Sequence, residues 1–334
     1  MTFGLRNAAQ SFQCFMHSVL RGLNFCFVYI DDILVASKSK EEHYDHLQQI
    51  FQRLSEFGLI LKISKCNFAE SEINFLGHTV TAQGIKPAPE RVKAIINFDK
   101  PKTVKQLKRF LGMLNFYRRF LSHAAEQQAL LNNFLCGNKK GSNKNINWTP
   151  EATEAFDNCK SQLANVVNLA HPSHSAPLAI FVDASNTGIG ASIQQKVNNT
   201  WQPLGFFSTK LTLPQQKYST YDRELLAAYS AVKHFRYLVE GRNFTIFTDH
   251  KPLIYALSQN PEKASPRQLR HLNFISEFTT DIQHISGSNN VVADTLSRVD
   301  SIVIPPNTDY EAIASAQQND EELQQILKTG DTSL

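Results

Sequence analysis

From Leu178 onward the hydrophobic pattern changes period several times, and at nearly every change a carboxylate sits beside the apolar run. Leu178 to Val182 predicts a short strand ending in Asp183, Ala191 to Gln194 a second strand entered through a turn at Gly188-Ile189-Gly190, and Pro203 to Phe207 a third. Tyr221, Leu225, Ala228, Val232 and Phe235 then recur at helical spacing, with Glu224 among them, until Gly241 supplies a stop. Phe244 to Phe247 returns to strand and runs into Thr248-Asp249. Leu269, Leu272, Phe274 and Ile275 predict a helix, Asp281 to Ile285 a strand, and Val291 to Leu296, carrying Asp294, a last short helix. Three strands followed by alternating helix and strand bury their apolar faces as a mixed sheet with helices packed on it, an α/β architecture.

Asp183, Glu224, Asp249 and Asp294 thus come from strand, helix, strand and helix. Taken singly, each reads more simply as a strand-end turn residue or a solvated helix position. Taken together, they are the set that phosphodiester chemistry with paired metals requires, because each Mg²⁺ takes hard oxygen ligands and two such ions sit only about 4 Å apart.

The first half is built differently. Phe12, Phe15, Met16, Val19 and Leu20 form a helical stripe so near Met1 that the chain reads as starting inside a domain. Phe25 to Tyr29 and Ile33 to Ala36 predict a β-hairpin with Asp31 and Asp32 at its tip. Ser39 and Glu42 make a capping box for a helix through Leu47, Ile50, Leu54 and Phe57, which Gly58 ends. Leu59, Leu61 and Ile63 alternate as in a strand, and Ile73, Phe75 and Leu76 begin another before Gly77.

Charge separates the halves. Residues 1 to 150 hold 20 Lys and Arg against 11 Asp and Glu, a net of +9, whereas residues 151 to 334 hold 14 against 19, a net of −5. Between Lys86 and Arg119 ten basic residues face only Glu90 and Asp99. Thr103 and Gln106 cap a helix there whose apolar stripe is Val104, Leu107, Leu111 and Leu114, and whose other face carries Lys105, Lys108 and Arg109. Such a face is either simply solvated or a grip for a polyanion. A polar stretch from Gly137 to Asn147 marks a boundary, and residues 299 to 334, with seven acids and one Lys, form an acidic tail with one weak helix near Glu321 to Leu327.

Hydrophobic residues at 42% exclude a wholly disordered chain, and no apolar run approaches the roughly 18 residues of a membrane helix. Cys14, Cys26, Cys66, Cys136 and Cys159 lack zinc or redox spacing and read as reduced thiols. Gly188-Ile189-Gly190 lacks the third glycine of a nucleotide loop.

The strings Phe181-Val-Asp-Ala-Ser185, Tyr221-Asp-Arg-Glu-Leu-Leu-Ala227, Thr248-Asp-His-Lys-Pro-Leu253 and Asn290-Val-Val-Ala-Asp-Thr-Leu-Ser-Arg298 resemble the ribonuclease H domain of gypsy-type long-terminal-repeat retrotransposon Pol polyproteins. Met1 to Phe12, Tyr29-Ile-Asp-Asp32, Lys62-Ile-Ser-Lys-Cys-Asn-Phe68, Phe75-Leu-Gly-His78 and Phe110 to Phe120 resemble the reverse transcriptase of the same polyproteins, with Thr2 and Ala9 departing from its pattern. The resemblance implies a polymerase palm at 1–77, truncated at its N-terminus, a thumb and connection at 78–147, a ribonuclease H-like domain at 148–298 and a connector toward integrase at 299–334. It implies an α+β palm and thumb followed by the mixed-sheet α/β domain.

The function so implied is Mg²⁺-dependent cutting of RNA in RNA–DNA hybrids at Asp183, Glu224, Asp249 and Asp294, with two metal ions and Mn²⁺ as a substitute. Asp31 and Asp32 would belong to the polymerase metal site. Another catalytic aspartate of that site lies upstream in the family, so DNA synthesis, and with it deoxynucleotide binding, is expected of the full-length parent and not of this chain. Lys105, Lys108, Arg109, Arg118 and Arg119 would grip the hybrid or template–primer. His284 and His250 are further candidates, although the glycine-rich basic loop that carries such a His elsewhere is missing. No membrane partner is expected. Protease and integrase would be neighbours in the parent, and the setting would be a cytoplasmic particle with a later nuclear stage. A folded remnant that binds nucleic acid without turnover is the competing reading; a host ribonuclease H would not need the first 150 residues.

Overall fold

The structure, a computed structural model, describes residues 6–121, 124–135, 143–259 and 264–286. It opens with a helix, α1 (Ala8–Val19), then a two-stranded antiparallel hairpin, β1 (Cys26–Tyr29) and β2 (Asp32–Val35), and a long helix, α2 (Lys40–Glu56). Met16, Val19 and Leu20 pack against Val28 of the hairpin and Ile50 and Leu54 of α2 in a small core. Ser39 caps α2 by accepting the Glu42 amide at 3.2 Å. The Glu42 carboxylate accepts from Lys38 rather than Ser39, so the box is only half closed. Leu59 to Ile63 forms no strand, contrary to its alternation. Ile60 is 96% exposed, Ile63 begins a short 3-10 turn, and no described strand lies alongside to take up the segment's backbone groups.

Three short antiparallel strands follow, β3 (Glu72–Phe75), β4 (His78–Thr81) and β5 (Gly84–Pro87). The β3–β4 turn places Leu76 and Gly77 both at positive φ, as a tight two-residue hairpin loop demands. Helices α3 (Pro89–Ile96) and α4 (Val104–Phe116), a 3-10 turn at Arg118–Phe120, and the short helices α5 (Ala124–Gln127) and α6 (Ala129–Asn133) complete this region. The expected capping box at Thr103 and Gln106 is present, and Val104, Leu107, Phe110, Leu111 and Leu114 are buried.

Helix α7 (Pro150–Ala164), which follows the polar linker, does not join the sheet beyond it. Its Phe156, Cys159 and Leu163 sit in one core with Ile95, Leu107, Phe110 and Leu131. By packing, the helical core thus takes in residues on both sides of the 147/148 boundary, from Ile95 to Leu169 and Phe206. Leu169 closes that body by bridging to Ile85, where a side chain at Gly84 (φ +147°) would overlap the Leu169 carbonyl.

The remaining strands are β6 (Leu178–Ala184), β7 (Gly188–Val197), β8 (Thr200–Lys210), β9 (Phe244–Thr248) and β10 (Ile282–His284), in the sheet order β10-β9-β6-β7-β8. Strands β6, β7 and β8 are antiparallel, while β9 and β10 run parallel to β6. Gly188 to Gly190 lies inside β7, and the turn is made by the residues before it. A single turn, α8 (Leu213–Gln216), leads into the long helix α9 (Thr220–Val239); a 3-10 segment at Lys251–Ser258 leads to α10 (Pro266–Ser276). Helix α9 buries Leu225, Ala228, Val232 and Phe235 against Ile180, Val182, Ile193 and Ile246 of the sheet. This is the mixed-sheet α/β domain the sequence predicts. The helix expected at Val291 to Leu296, with Asp294, and the acidic tail lie outside the described residues. No helix among the described residues is long and apolar enough to cross a membrane.

Candidate active site and nucleic-acid interface

Because β6 and β9 are parallel neighbours, their C-terminal ends reach the same edge of the sheet. The register Phe181↔Phe247, continued by two residues, brings Asp183 level with Asp249. Glu224, in the first turns of α9, comes down onto the same edge. One ligand oxygen from each of Asp183, Glu224 and Asp249 lies within 4.8 Å of the others. Asp183 and Glu224 are buried, at 5% and 3% exposure, and Asp249 is half-buried.

Three carboxylates so close and so dry cannot all stay charged without a cation. Glu224 carries the strain. Burial first, then the charges of Asp183 and Asp249, push its pKa from 4.5 up to about 9, against the opposing pull of the Ala184 amide and Thr248 hydroxyl. Its Oε1 accepts the Ala184 N–H at 3.1 Å, but the buried Oε2 has no hydrogen-bond partner. An orphan carboxylate oxygen inside an all-oxygen donor set is what a hard divalent cation would complete, so the residues fit such an ion.

His250 follows Asp249 directly. Its amide donates to Thr248 Oγ1 at 3.1 Å and its half-buried ring lies 6.2 Å from Tyr221. Burial lowers its pKa, with Asp249 opposing. His284 sits exposed on β10 in register with Thr248, one strand over from the residue preceding Asp249. Asp294 is outside the described residues, so the expected set is brought together here in three of its four members.

Asp31 and Asp32 are exposed at the hairpin tip, where Tyr29 pairs with Asp32. Among the described residues they gather no third metal-ligating side chain. The tip is strained, with Ile30 at φ +53°, a conformation that a β-branched side chain avoids. Gln13 of α1 holds it there: its Oε1 accepts the Ile30 N–H while its Nε2 donates to the Val28 carbonyl at 2.9 Å. Sequence reading missed Gln13, because only the fold carries α1 to the tip.

On α4, Lys105, Arg109, Gly112 and Phe116 succeed one another at spacings of four, three and four along a single exposed face, with Lys108 half-buried beside them. Phe116 is 57% exposed, and nothing lies within 4 Å of a Cβ added at Gly112. The face is basic at one end, aromatic at the other and bare between, which suits close approach of a sugar–phosphate backbone and a stacked base. Gly112 and Phe116 were legible only through their helical spacing from Lys105. Arg119 is exposed and lies over the Phe120 ring at 5.5 Å. Arg118, expected on the basic face, is turned inward. Its guanidinium donates to the Ser208 carbonyl of β8, and burial depresses its pKa. Arg118 comes four residues after Leu114 and seven after Leu111, on the buried side of α4 rather than on the face of Lys105 and Arg109.

A hairpin bearing paired aspartates, a helical body and a five-stranded sheet with converging carboxylates follow one another along the chain, and each half has a counterpart among known families. Residues 1–80 match the family model for reverse transcriptase (RNA-dependent DNA polymerase), and residues 148–246 match that for an RNase H-like domain found in reverse transcriptase. Over these stretches the chain is similar to the reverse transcriptase and ribonuclease H-like part of retrotransposon polyproteins. It is 34% identical over 304 residues to the transposon Tf2-3 polyprotein of Schizosaccharomyces pombe, covering 90% of this chain and 22% of that polyprotein. The Tf2-7 polyprotein of the same yeast is 33% identical over the same length. The chain thus spans about a fifth of the curated relatives it matches. Among solved structures, the foamy viral protease–reverse transcriptase in complex with dsDNA superposes with a TM-score of 0.74 at 22% identity, covering 86% of this chain and 59% of that one. The same viral protein in complex with an RNA/DNA hybrid gives 0.73 at 22% identity, covering 92% of this chain and 41% of that one.

Proposed function

We propose that this chain supplies the ribonuclease H activity of a retrotransposon Pol polyprotein, hydrolysing the RNA strand of RNA–DNA hybrids with Mg²⁺ at Asp183, Glu224 and Asp249, joined by Asp294. The observation that carries this reading is the buried, partnerless Oε2 of Glu224 between two further carboxylates. Divalent cations bound there, two in the active state and replaceable by Mn²⁺, would polarise the scissile phosphate and lower the pKa of an attacking water. The protein's part is to hold three carboxylate oxygens pre-gathered on rigid elements, so that little reorganisation is left for the reaction. Ala184 N–H fixes Glu224 through Oε1 and leaves Oε2 free for the ion.

The α4 face would take the hybrid or template–primer through Lys105, Lys108, Arg109 and Arg119, with Gly112 and Phe116 at the contact. Binding by that face weakens steeply with salt. Asp31 and Asp32, which follow the Ile30 amide that Gln13 holds, are proposed to serve DNA synthesis in the longer polyprotein, which would bring deoxynucleotides and the protease and integrase neighbours. The site of action would be a cytoplasmic particle and, later, the nucleus.

The test is cleavage of a labelled RNA–DNA hybrid with Mg²⁺ by the intact chain, by Asp249→Asn and in EDTA. Cutting by the intact chain that falls at least about 100-fold in both controls is expected. Binding of the hybrid without any cutting would favour the non-catalytic remnant instead.

A further inference from the structure

Arg118 lies between the two parts of the molecule that a bound hybrid would have to touch. It begins the 3-10 turn directly after α4, and its guanidinium reaches across to the Ser208 carbonyl on β8, the outer strand of the nuclease sheet. The same serine, only 2% exposed, takes the Ala125 amide on its hydroxyl at 3.1 Å, so both ends of segment 118–125 are fastened to one residue of the sheet. Next to Ser208, Phe207 stacks on His234 of α9 at 4.5 Å, and His234 is near enough to feel the Arg118 charge. Phe206, on the other side, is buried in the helical core with Leu107, Phe110 and Leu114 of α4. No carboxylate among the described residues pairs with Arg118. A half-buried arginine whose guanidinium holds a backbone carbonyl of another element, with no ion pair among the described residues, is placed to fix geometry.

We propose that Arg118 is a positioning residue that sets the register between the nucleic-acid face of α4 and the carboxylates Asp183, Glu224 and Asp249, and so decides where along a hybrid the RNA is cut. The inference rests on the ribonuclease H reading above. Helix α4 ends two residues before Arg118, and α9, which carries Glu224, packs on the sheet whose edge Arg118 holds. A shift of about 3.4 Å between the two along the duplex moves the cut by one base pair. Loosening this fastening therefore spreads the cuts without touching the chemistry.

The experiment maps cut positions on a long end-labelled hybrid for the intact chain, Arg118→Met, Arg118→Lys and Ser208→Ala. Arg118→Met retains the apolar stem and loses the donor. The expected result is at least about a twofold fall in the share of cuts at the preferred position, cuts spreading to neighbouring positions, with partial recovery in Arg118→Lys. A hybrid too short to span both contacts is expected to be cut equally well by Arg118→Met and the intact chain. Hydroxyl-radical footprints of the long hybrid in Ca²⁺ provide a readout independent of cutting. If the intact chain cuts nothing yet the footprint boundary blurs in Arg118→Met and sharpens in Arg118→Lys, the nuclease reading fails and the positioning role stands. Cut and footprint positions in folded Arg118→Met identical to those of the intact chain would overturn it, leaving Arg118 with a structural role only.

Discussion

Glu224 shows at the scale of one residue how a site can be built against the stability of the protein that holds it. Its folded pKa of about 9 lies far above the 4.5 of an ordinary glutamate, so between those values the folded chain keeps a proton that the unfolded chain has released. Stability from this group is therefore complete below pH 4.5, falls as the pH rises and is gone above about 9. A divalent cation bound there, as proposed above, would replace the proton and reverse the trend by binding the folded carboxylates and not the unfolded ones. Thermal melts should show a metal-free midpoint that drops by about 3 °C or more between pH 5.5 and 8.5, and a Mg²⁺-induced rise larger at pH 8.5 than at 5.5. Glu224→Gln, which cannot ionise, should flatten the pH dependence and abolish the rise. A Mg²⁺ effect that survives in Glu224→Gln would place the ion elsewhere.

Helix α4 separates stability from binding at the scale of an element. Gly112 costs the helix some backbone entropy and has empty space where a Cβ would stand, so nothing in the packing asks for glycine there. Gly112→Ala should raise stability by about 0.5–1 kcal/mol in urea unfolding. Gly112→Leu should fold as well as the parent yet bind a hybrid about tenfold more weakly, as its side chain holds the backbone away from the face. Unchanged affinity in Gly112→Leu would remove this face from the nucleic-acid interface. The capping box that starts α4 and its apolar stripe could be read from spacing alone, because both are local. Arg118 follows the same spacing onto the buried side, four residues after Leu114, but its partner there, Ser208, is brought to it only by the fold.

Across the whole molecule, α7 determines which pieces stand alone. Phe156, Cys159 and Leu163 share their core mainly with the helices before the linker, and Phe206 of β8 is the residue of the sheet that joins it. A polypeptide of residues 148–334 would expose that apolar stripe, at about 1.5–3 kcal/mol for each large side chain. It should bind a hydrophobic dye and self-associate in size-exclusion chromatography, whereas residues 170–334, which lack α7, should do so less. Equal behaviour of the two would show that α7 belongs with the sheet.

What the sequence determined by itself is what short-range physics controls. The main strands and helices from Leu178 to Ile285, the caps at Ser39 and Thr103 and the Asp31–Asp32 hairpin follow from periodicity and from residue types that suit one local geometry, although Gly188 to Gly190 lies in a strand and not in the expected turn. Tertiary structure decided the rest. Parallel pairing of β6 with β9 gathers Asp183, Glu224 and Asp249 into one cluster and raises the Glu224 pKa, because burial and charge proximity exist only after folding. Contacts across long stretches of chain, Gln13 to the Ile30 amide and Arg118 to Ser208, settle which polar side chains hold the sites in place, and α7 sides with the earlier helices because its apolar face is covered there.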